Sequence, residues 1–385
     1  MSSTPLLARE AVRQERSLFS PALFTRWRDP RSDVESWILS RRIAPLQQTF
    51  YFVNSGWSAD GRYYWFYAAF PPAGDSNYGR TLAVIDFEEG EVRHFPEAQF
   101  LDASPAVDPS GSDAYWCNGL DLWKRGPGRR DPAVWVNRFP EALAKNRRPW
   151  RLATHLTFSA DGRSVNLDAE IGREWFAGHA PLDGGPVEIW RRFESGHNHA
   201  QFSPADPGLQ LIAQDSAVDP VTGESPRYEN RMWLLRRDGS AEPLLEGDEC
   251  RMHGHEWWSA DGRRVWYVHY GRGVAYAGLQ DRRPHLAWPL LKASHAHCDA
   301  AERFLVADAV PSDRSESRVA FLNRETGRAV DIVSQLPHLP ELRKYHIHPH
   351  PRFGLDDRYI CYTTTVLGQV DIAFVRVADL AAATA

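Results

Sequence analysis

The stretch Gly56-Trp57-Ser58-Ala59-Asp60-Gly61 recurs along this chain as Thr157-Phe158-Ser159-Ala160-Asp161-Gly162 and as Trp257-Trp258-Ser259-Ala260-Asp261-Gly262. Weaker copies of the phrase lie around Asp108, Ser203, Asp299 and Gly354. The Ser-x-Asp-Gly part predicts a tight turn between two strands. A repeat of roughly 40 to 50 residues built from short strands is typical of a β-propeller. The seven copies therefore predict an all-β fold, a seven-bladed β-propeller.

One position of the repeat, four residues before the turn, holds a histidine in five of the seven copies. These histidines are His155, His199, His255, His295 and His350, while the first two copies have Asn54 and Ser104 there. Equivalent positions of a propeller lie in a ring around one axis. We therefore expect the five histidines to converge in space.

A His-x-His pattern occupies four of the predicted inner strands. Its members are His197/His199, His253/His255, His295/His297 and His348/His350, and His346 extends the last pair. Because residues two apart in a strand point the same way, the pairs predict a polar site on the central channel. Such a site would hold a metal, an acidic substrate or both. Imidazole suits Mn, Fe, Ni, Cu or Zn, and the spacing does not choose among them.

The sharpest ligand candidate is the run His346-Ile347-His348-Pro349-His350-Pro351. Its two prolines restrict the backbone and so fix the directions of the neighbouring side chains.

Composition excludes several classes of partner. The 385 residues carry a net charge of −5, so the total gives no sign of a basic surface for nucleic acid. No run of apolar residues is long enough to span a membrane, and the mixed, charged N-terminus does not resemble a signal peptide. The four cysteines are scattered, as expected for reduced thiols. We expect a cytoplasmic protein, a monomer or a weak homodimer.

The N-terminal region is expected to close the ring. Residues 1–24 are interpreted as an extension, and residues 25–385 as a single propeller domain. Residues 24–41 predict a hairpin around a turn-rich cluster at 29–33, whose second arm, residues 34–39, lies outside blade seven. Closure between the chain ends removes exposed sheet edges. Residues 123–150 and 216–230 are predicted insertions that could carry recognition.

Several phrases of the C-terminal half resemble those of the oligogalacturonate lyases, which are seven-bladed propeller enzymes of pectin breakdown. The resemblance covers residues 199–353. The matching phrases are Arg231-Met232-Trp233-Leu234 before Asp238-Gly239-Ser240, Cys250 before His255-Glu256-Trp257-Trp258, Ser294-His295, and His348-Pro349-His350-Pro351-Arg352-Phe353.

The resemblance implies β-elimination on a uronic acid residue. In this family a metal binds the sugar carboxylate and acidifies the C5 hydrogen, a base removes that proton, and a 4,5-unsaturated uronide forms. For this chain we expect a divalent metal, Mn²⁺. The matching base is His255, which suits proton abstraction near neutral pH. Arg231 would stabilise the developing negative charge. The metal ligands would be His295, His348 and His350; Zn²⁺, Ni²⁺ or Fe²⁺ are alternatives to Mn²⁺.

The chain departs from the family at some positions. The family's fourth protein ligand is a glutamine, and its place here holds Tyr345. His346 or a water would substitute as ligand. We expect contacts to an acidic oligosaccharide from four residues: His199, His155, Tyr345 and Arg251.

Two other functions are compatible with the same histidines. One is a non-catalytic propeller that binds a sugar acid or a protein partner. The other is a metal-dependent hydrolase or isomerase. Formation of an unsaturated product separates the lyase from both.

Overall fold

Seven sheets arranged around one axis make up the protein, so the predicted seven-bladed β-propeller is confirmed. The computed structural model describes residues 18–215, 222–224, 230–247, 252–309, 317–339 and 344–385. Neighbouring strands within each sheet are antiparallel. This up-and-down pairing leaves the inner strand of each blade at the axis and the last strand at the rim.

The first three blades hold the N-terminal half of the ring. Their strands, from the axis outward, are Leu46–Gln48, Tyr63–Ala69, Tyr78–Asp86 and Glu91–Leu101 in blade one, Ala106–Val107, Ala114–Asn118, Asp121–Arg125 and Val134–Arg138 in blade two, and Ser164–Ile171, Glu174–Pro181 and Glu188–Phe193 in blade three. On the inner side of blade three, single bridges pair Arg151 with Glu170 and Phe158 with Val165.

The remaining blades follow the same order. Their strands are His197–Phe202, Leu209–Gln214, Met232–Arg236 and Ala241–Pro243 in blade four, His253–Trp258, Arg264–His269, Gly273–Gly278 and Pro284–Trp288 in blade five, Ala293–Cys298, Phe304–Ala309, Arg318–Asn323 and Arg328–Val333 in blade six, and Arg352–Gly354, Tyr359–Thr364 and Asp371–Arg376 in blade seven.

The ring is closed in blade seven by the N-terminal hairpin, as predicted. Strand Glu35–Leu39 pairs with Asp371–Arg376, and strand Phe24–Arg28 forms the rim. Ile38, which lies opposite Ala373, is fully buried. Hydrogen bonds and apolar burial between the two chain ends therefore both hold the ring shut.

The repeated Ser-x-Asp-Gly phrase forms the same turn in each of its three best copies. In the first, the Ser58 hydroxyl and the Arg62 backbone N–H donate to Asp60 Oδ1 over 2.6 and 3.0 Å. Gly61 has a φ of +71°, which favours glycine. Ser159 and Ser259 donate in the same way to Asp161 and Asp261. The repeat is therefore a structural element of the blades.

Two short helices that lie wholly within the described ranges are found outside the blades, at Glu141–Ala144 and Val377–Ala383. Across the described ranges, neither helix is long and apolar enough to cross a membrane. The predicted insertion at 123–150 contains the first of them and the outer strand of blade two. Most of the predicted insertion at 216–230 lies outside the described residues. The cysteines Cys117, Cys298 and Cys361 are buried free thiols, and Cys250 also lies outside the described residues.

Candidate metal centre and adjoining cavity

The five histidines of the repeat converge at the axis around a buried aromatic pair, Tyr51 and Phe52. Ring centroids of four of the histidines lie 5.0 to 6.2 Å from that of Tyr51, and the fifth, His255, lies 6.1 Å from that of Phe52. The two aromatic residues belong to the segment that follows the inner strand of blade one. They fill the centre of the channel, and Phe52 is fully buried.

The expectation that each His-x-His pair lines one face is wrong. His199 and His255 have φ values of +54° and +50°, and the strand register shifts at both places. A left-handed residue at a bulge breaks the alternation of side chains. Their partners consequently point elsewhere: His197 stacks on Phe193 at 3.8 Å, and His253 packs 4.4 Å from Tyr267.

The pair in blade six also separates, because its strand has a register shift between Ala293 and Ala296. His295 joins the histidines at the axis. His297 packs against Trp257 and Phe353 and lines a different cavity of about 620 Å³ at the other end of the inner strands.

Four histidines form a group suited to a metal ion. They are His295, His346, His348 and His350, and one ring nitrogen of each lies within 4.8 Å of the others. His346 and His350 both have positive φ values, and the run that holds them precedes the short inner strand Arg352–Gly354. Prolines lack the N–H that a strand would use, so this run is irregular where the sequence predicts a strand from His348.

A buried carboxylate, Asp308, orients the group from behind. It accepts hydrogen bonds from His295 Nδ1 at 3.0 Å, from the His295 backbone N–H at 2.7 Å and from the His350 backbone N–H at 3.3 Å. A proton on Nδ1 leaves the lone pair of His295 on Nε2, which has no hydrogen-bond partner among the described residues. A carboxylate behind a histidine is the usual support of a metal-binding imidazole. The residues present therefore fit a metal ion.

A cavity of about 200 Å³ adjoins the histidine group. Its lining residues are Gln48, Thr49, Tyr51, Tyr67, Ser76, Asn77, Arg80, Asp102, Ala103, Arg151, Thr154, His199, His255, His346 and His350. The cavity is thus lined mainly by polar side chains, with blades one to three on one side and the histidines of blades four, five and seven on the other.

His255, the predicted base, lines this cavity next to the metal group. Its ring centroid lies 4.1 Å from that of His295, and its Nδ1 lies 3.2 Å from the Tyr270 hydroxyl. Gly254 allows this contact, because a Cβ there would lie 2.4 Å from the tyrosine oxygen. Burial, followed by the positive charge of Arg231, lowers the pKa of His255 to about 4. The imidazole is therefore neutral near pH 7 and able to accept a proton.

Arg231, predicted to stabilise negative charge, does not line the cavity and is held between two carboxylates. Its guanidinium lies 3.3 Å from Glu256 and 3.1 Å from Asp215. Glu256 is buried and directly follows His255 on the inner strand of blade five. Arg231 thus joins blades four and five, and its charge acts on both His199 and His255.

The four residues predicted to contact substrate lie in different parts of the protein. His199 lines the cavity. His155 is fully buried behind Tyr51 and His199, and burial lowers its pKa to about 3. Tyr345 is also buried, in an apolar cluster with Leu46 and Ile347. Neither His155 nor Tyr345 lines the cavity, and their contacts with substrate stay predictions. Arg251 lies outside the described residues.

Sequence reasoning missed three contributors to the site. Arg80 and Arg151 line the cavity, and Asp308 supports His295. Asp308 could have been predicted from the sequence, because it is an acidic residue inside the apolar strand Phe304–Ala309, 13 residues after His295. A buried acid usually has a specific partner. The arginines lie in ordinary blade segments and carried no such signal.

No family model matches the chain. It is 24% identical over 206 residues to the oligogalacturonide lyase of Pectobacterium atrosepticum, and 23% identical over 206 residues to the oligogalacturonate lyase of Dickeya dadantii. Each match includes 47% of this chain and 50% of the relative. The chain thus matches about half of the length of these curated relatives.

Two solved structures share the fold over nearly the whole chain. One is an oligogalacturonate lyase in complex with manganese, and the other is the oligogalacturonate lyase of Vibrio parahaemolyticus. Each superposes with a TM-score of 0.74 at 16% identity and covers 92% of this chain and 96% of the other. At this identity the superpositions establish the fold.

Proposed function

We propose that the chain, a divergent relative of the oligogalacturonate lyases, is a metal-dependent lyase acting on an oligosaccharide of uronic acids. In this proposal, β-elimination gives a 4,5-unsaturated uronide. One observation carries it: a four-histidine group suited to a metal lies beside a neutral histidine, and that histidine lines one polar cavity together with two members of the group, His346 and His350.

The proposed metal ligands are His295, His348 and His350, with His346 in place of the family's glutamine. Bound there, a divalent cation such as Mn²⁺ would neutralise the sugar carboxylate and so acidify the hydrogen at C5. His346 is the exposed member of the group, and it lines the cavity. Asp308 keeps the proton of His295 on Nδ1, away from the metal.

His255 is proposed to accept the C5 proton. It lines the cavity, it is neutral near pH 7, and its position is fixed by Tyr270 on one side and His295 on the other. As the proton leaves, the C4–O bond to the neighbouring sugar breaks and a C4–C5 double bond forms. The departing oxygen takes up a proton from solvent or from the protonated base, so the bonds and protons of the elimination balance.

Arg231 is proposed to be a positioning residue that acts through its charge. Its positive charge favours the neutral form of His255 before the reaction, in the same direction as the burial that lowers the pKa of His255 to about 4. The carboxylates of Glu256 and Asp215 fix its guanidinium beside the inner strand of blade five. Its charge near the site also favours a substrate that carries carboxylates.

The test is an ultraviolet assay for the unsaturated product, with digalacturonate and trigalacturonate and with added Mn²⁺ or EDTA. We expect a rise in absorbance that EDTA stops. His255→Ala should abolish the rise while metal content stays the same. His285→Ala, on the exposed outer strand of the same blade, is the control and should keep full activity.

Two results would contradict the proposal. If metal-loaded protein gives no product with any uronide, the function is binding or hydrolysis at the same histidines. If His255→Ala loses its metal, His255 is a ligand and another group is the base.

A further inference from the structure

The cavity has a second polar wall, formed by blades one to three, that the proposed chemistry does not use. Arg80 lies in strand Tyr78–Asp86, Asp102 follows the last strand of blade one, and Arg151 precedes blade three. Gln48, from the inner strand of blade one, completes this wall.

Arg80 is a buried cation without a carboxylate partner in the described part of the chain. Its Nη2 donates to the backbone oxygens of Ser76 and Asp102 at 3.0 and 2.6 Å, and its guanidinium lies 4.6 Å above the Tyr67 ring. No described carboxylate lies within 4.0 Å of it, and its Nε and Nη1 donate to no described residue. A buried charge is costly unless it is paired.

The neighbouring arginine of the wall is already neutralised. Arg151 Nε lies 3.4 Å from Asp102 and 3.4 Å from Glu170, and its Nη1 donates to Thr154 at 3.0 Å. The charge of Asp102 acts on both arginines, but of the two only Arg80 has no described carboxylate within 4.0 Å, so its guanidinium is the one left to pair with a ligand carboxylate.

Gln48 supplies an independent observation. The residue is 3% exposed, and its side-chain amide nitrogen donates to the Tyr345 backbone oxygen at 3.4 Å. Its Oε1 has no hydrogen-bond partner among the described residues. A buried acceptor without a donor costs free energy, so this oxygen is suited to accept a hydrogen bond from a ligand hydroxyl.

We propose that Arg80 and Gln48 form a subsite for a second uronic acid, with Arg80 binding its carboxylate and Gln48 accepting from one of its hydroxyls. This inference rests on the proposed function, which places the first carboxylate at the histidine group. A single uronic acid carries one carboxylate and cannot occupy both positions. The cavity therefore selects a ligand of at least two uronic acid units.

Calorimetry with digalacturonate and with galacturonate tests the subsite in the metal-loaded protein. If the wild type consumes digalacturonate, all variants are placed in the His255→Ala background so that the readout is binding alone. Arg80→Gln should weaken digalacturonate binding by about 10-fold to 100-fold, the range expected for a lost charge-assisted hydrogen bond. The affinity for galacturonate should change by less than about 3-fold.

Arg125→Gln is the matched control. Arg125 is also buried, lies over the Phe95 ring at 3.4 Å and donates to the backbone oxygens of Gly128 and Asp131. Unlike Arg80 it also pairs with a carboxylate, that of Glu97, and it does not line the cavity. Its replacement should leave both affinities unchanged. Arg80→Lys keeps the charge and should recover part of the lost affinity, and Gln48→Leu should weaken digalacturonate binding without removing any charge.

The calorimetric results test the subsite independently of the elimination reaction. Equal digalacturonate affinities in wild type and Arg80→Gln would overturn the subsite, even if the ultraviolet assay detects elimination. An equal loss for both sugars would also overturn it, as would a wild type that binds neither sugar. Selective loss of digalacturonate binding would support the subsite, even in a protein that forms no unsaturated product.

Discussion

Asp308→Asn should weaken metal binding without unfolding the protein. The fully buried carboxylate accepts three hydrogen bonds, two from His295 and one from the His350 backbone. Asparagine keeps the size and one acceptor oxygen, but it loses the negative charge and turns the other oxygen into a donor. Removing such an outer partner of a ligating histidine typically costs 10-fold to 100-fold in metal affinity, or about 1.4 to 2.8 kcal/mol.

The assay is a calorimetric titration of metal-free protein with Mn²⁺, and the control is Asp168→Asn. Asp168 is an equally buried acid of blade three, 13 residues after His155, as Asp308 is 13 residues after His295. It accepts hydrogen bonds from the Thr154 backbone and hydroxyl instead of from the metal group. Unchanged Mn²⁺ affinity in Asp308→Asn, or an equal loss in Asp168→Asn, would refute the role assigned to Asp308.

Three further predictions address the metal, the ring and pH. His348→Ala should lose both metal and activity, and metal analysis with the ultraviolet assay checks this; an active, metal-free variant would overturn the ligand role. Ile38→Ala should lower the free energy of unfolding in urea by about 2–5 kcal/mol, because the residue is fully buried in the closing strand, while the exposed Leu286→Ala should change it by less than about 0.5 kcal/mol. Burial lowers the pKa of His253 to about 3 and that of His197 to about 4, so the unfolded chain binds more protons below pH 6.5. The free energy of unfolding of metal-free protein should therefore fall between pH 6.5 and 4, by up to about 1.4 kcal/mol per pH unit for each histidine, and a flat profile would show that these side chains are hydrated.

The architecture was predictable because the blades repeat one short turn sequence. The Ser-x-Asp-Gly turn has the same hydrogen bonds around Asp60, Asp161 and Asp261, and it sets the spacing of the strands on either side. The closing strand was predictable too, since an apolar segment near one chain end completes a sheet at the other. The convergence of the five histidines at the axis follows from the same regularity.

The details of the site depended on what breaks the repeat. Positive φ values at His199 and His255 turn the neighbouring histidines away from the channel. A residue other than glycine rarely has a positive φ, and no local sequence pattern predicts it here. The positions of Tyr345 and His155 depend on packing between distant blades. Packing between distant blades also places Arg80 at the cavity, so its position there can be seen only in the folded structure.

The Tyr51–Phe52 pair blocks the channel along the propeller axis. Tyr51 borders the cavity beside the metal group, whereas Val53, two residues later, borders the larger cavity at the opposite end of the inner strands. With Phe52 fully buried between them, the two cavities are separate chambers. A molecule that enters the cavity at the metal group therefore has no route along the axis to the opposite cavity. In the proposed lyase, substrate and product would pass through one and the same opening.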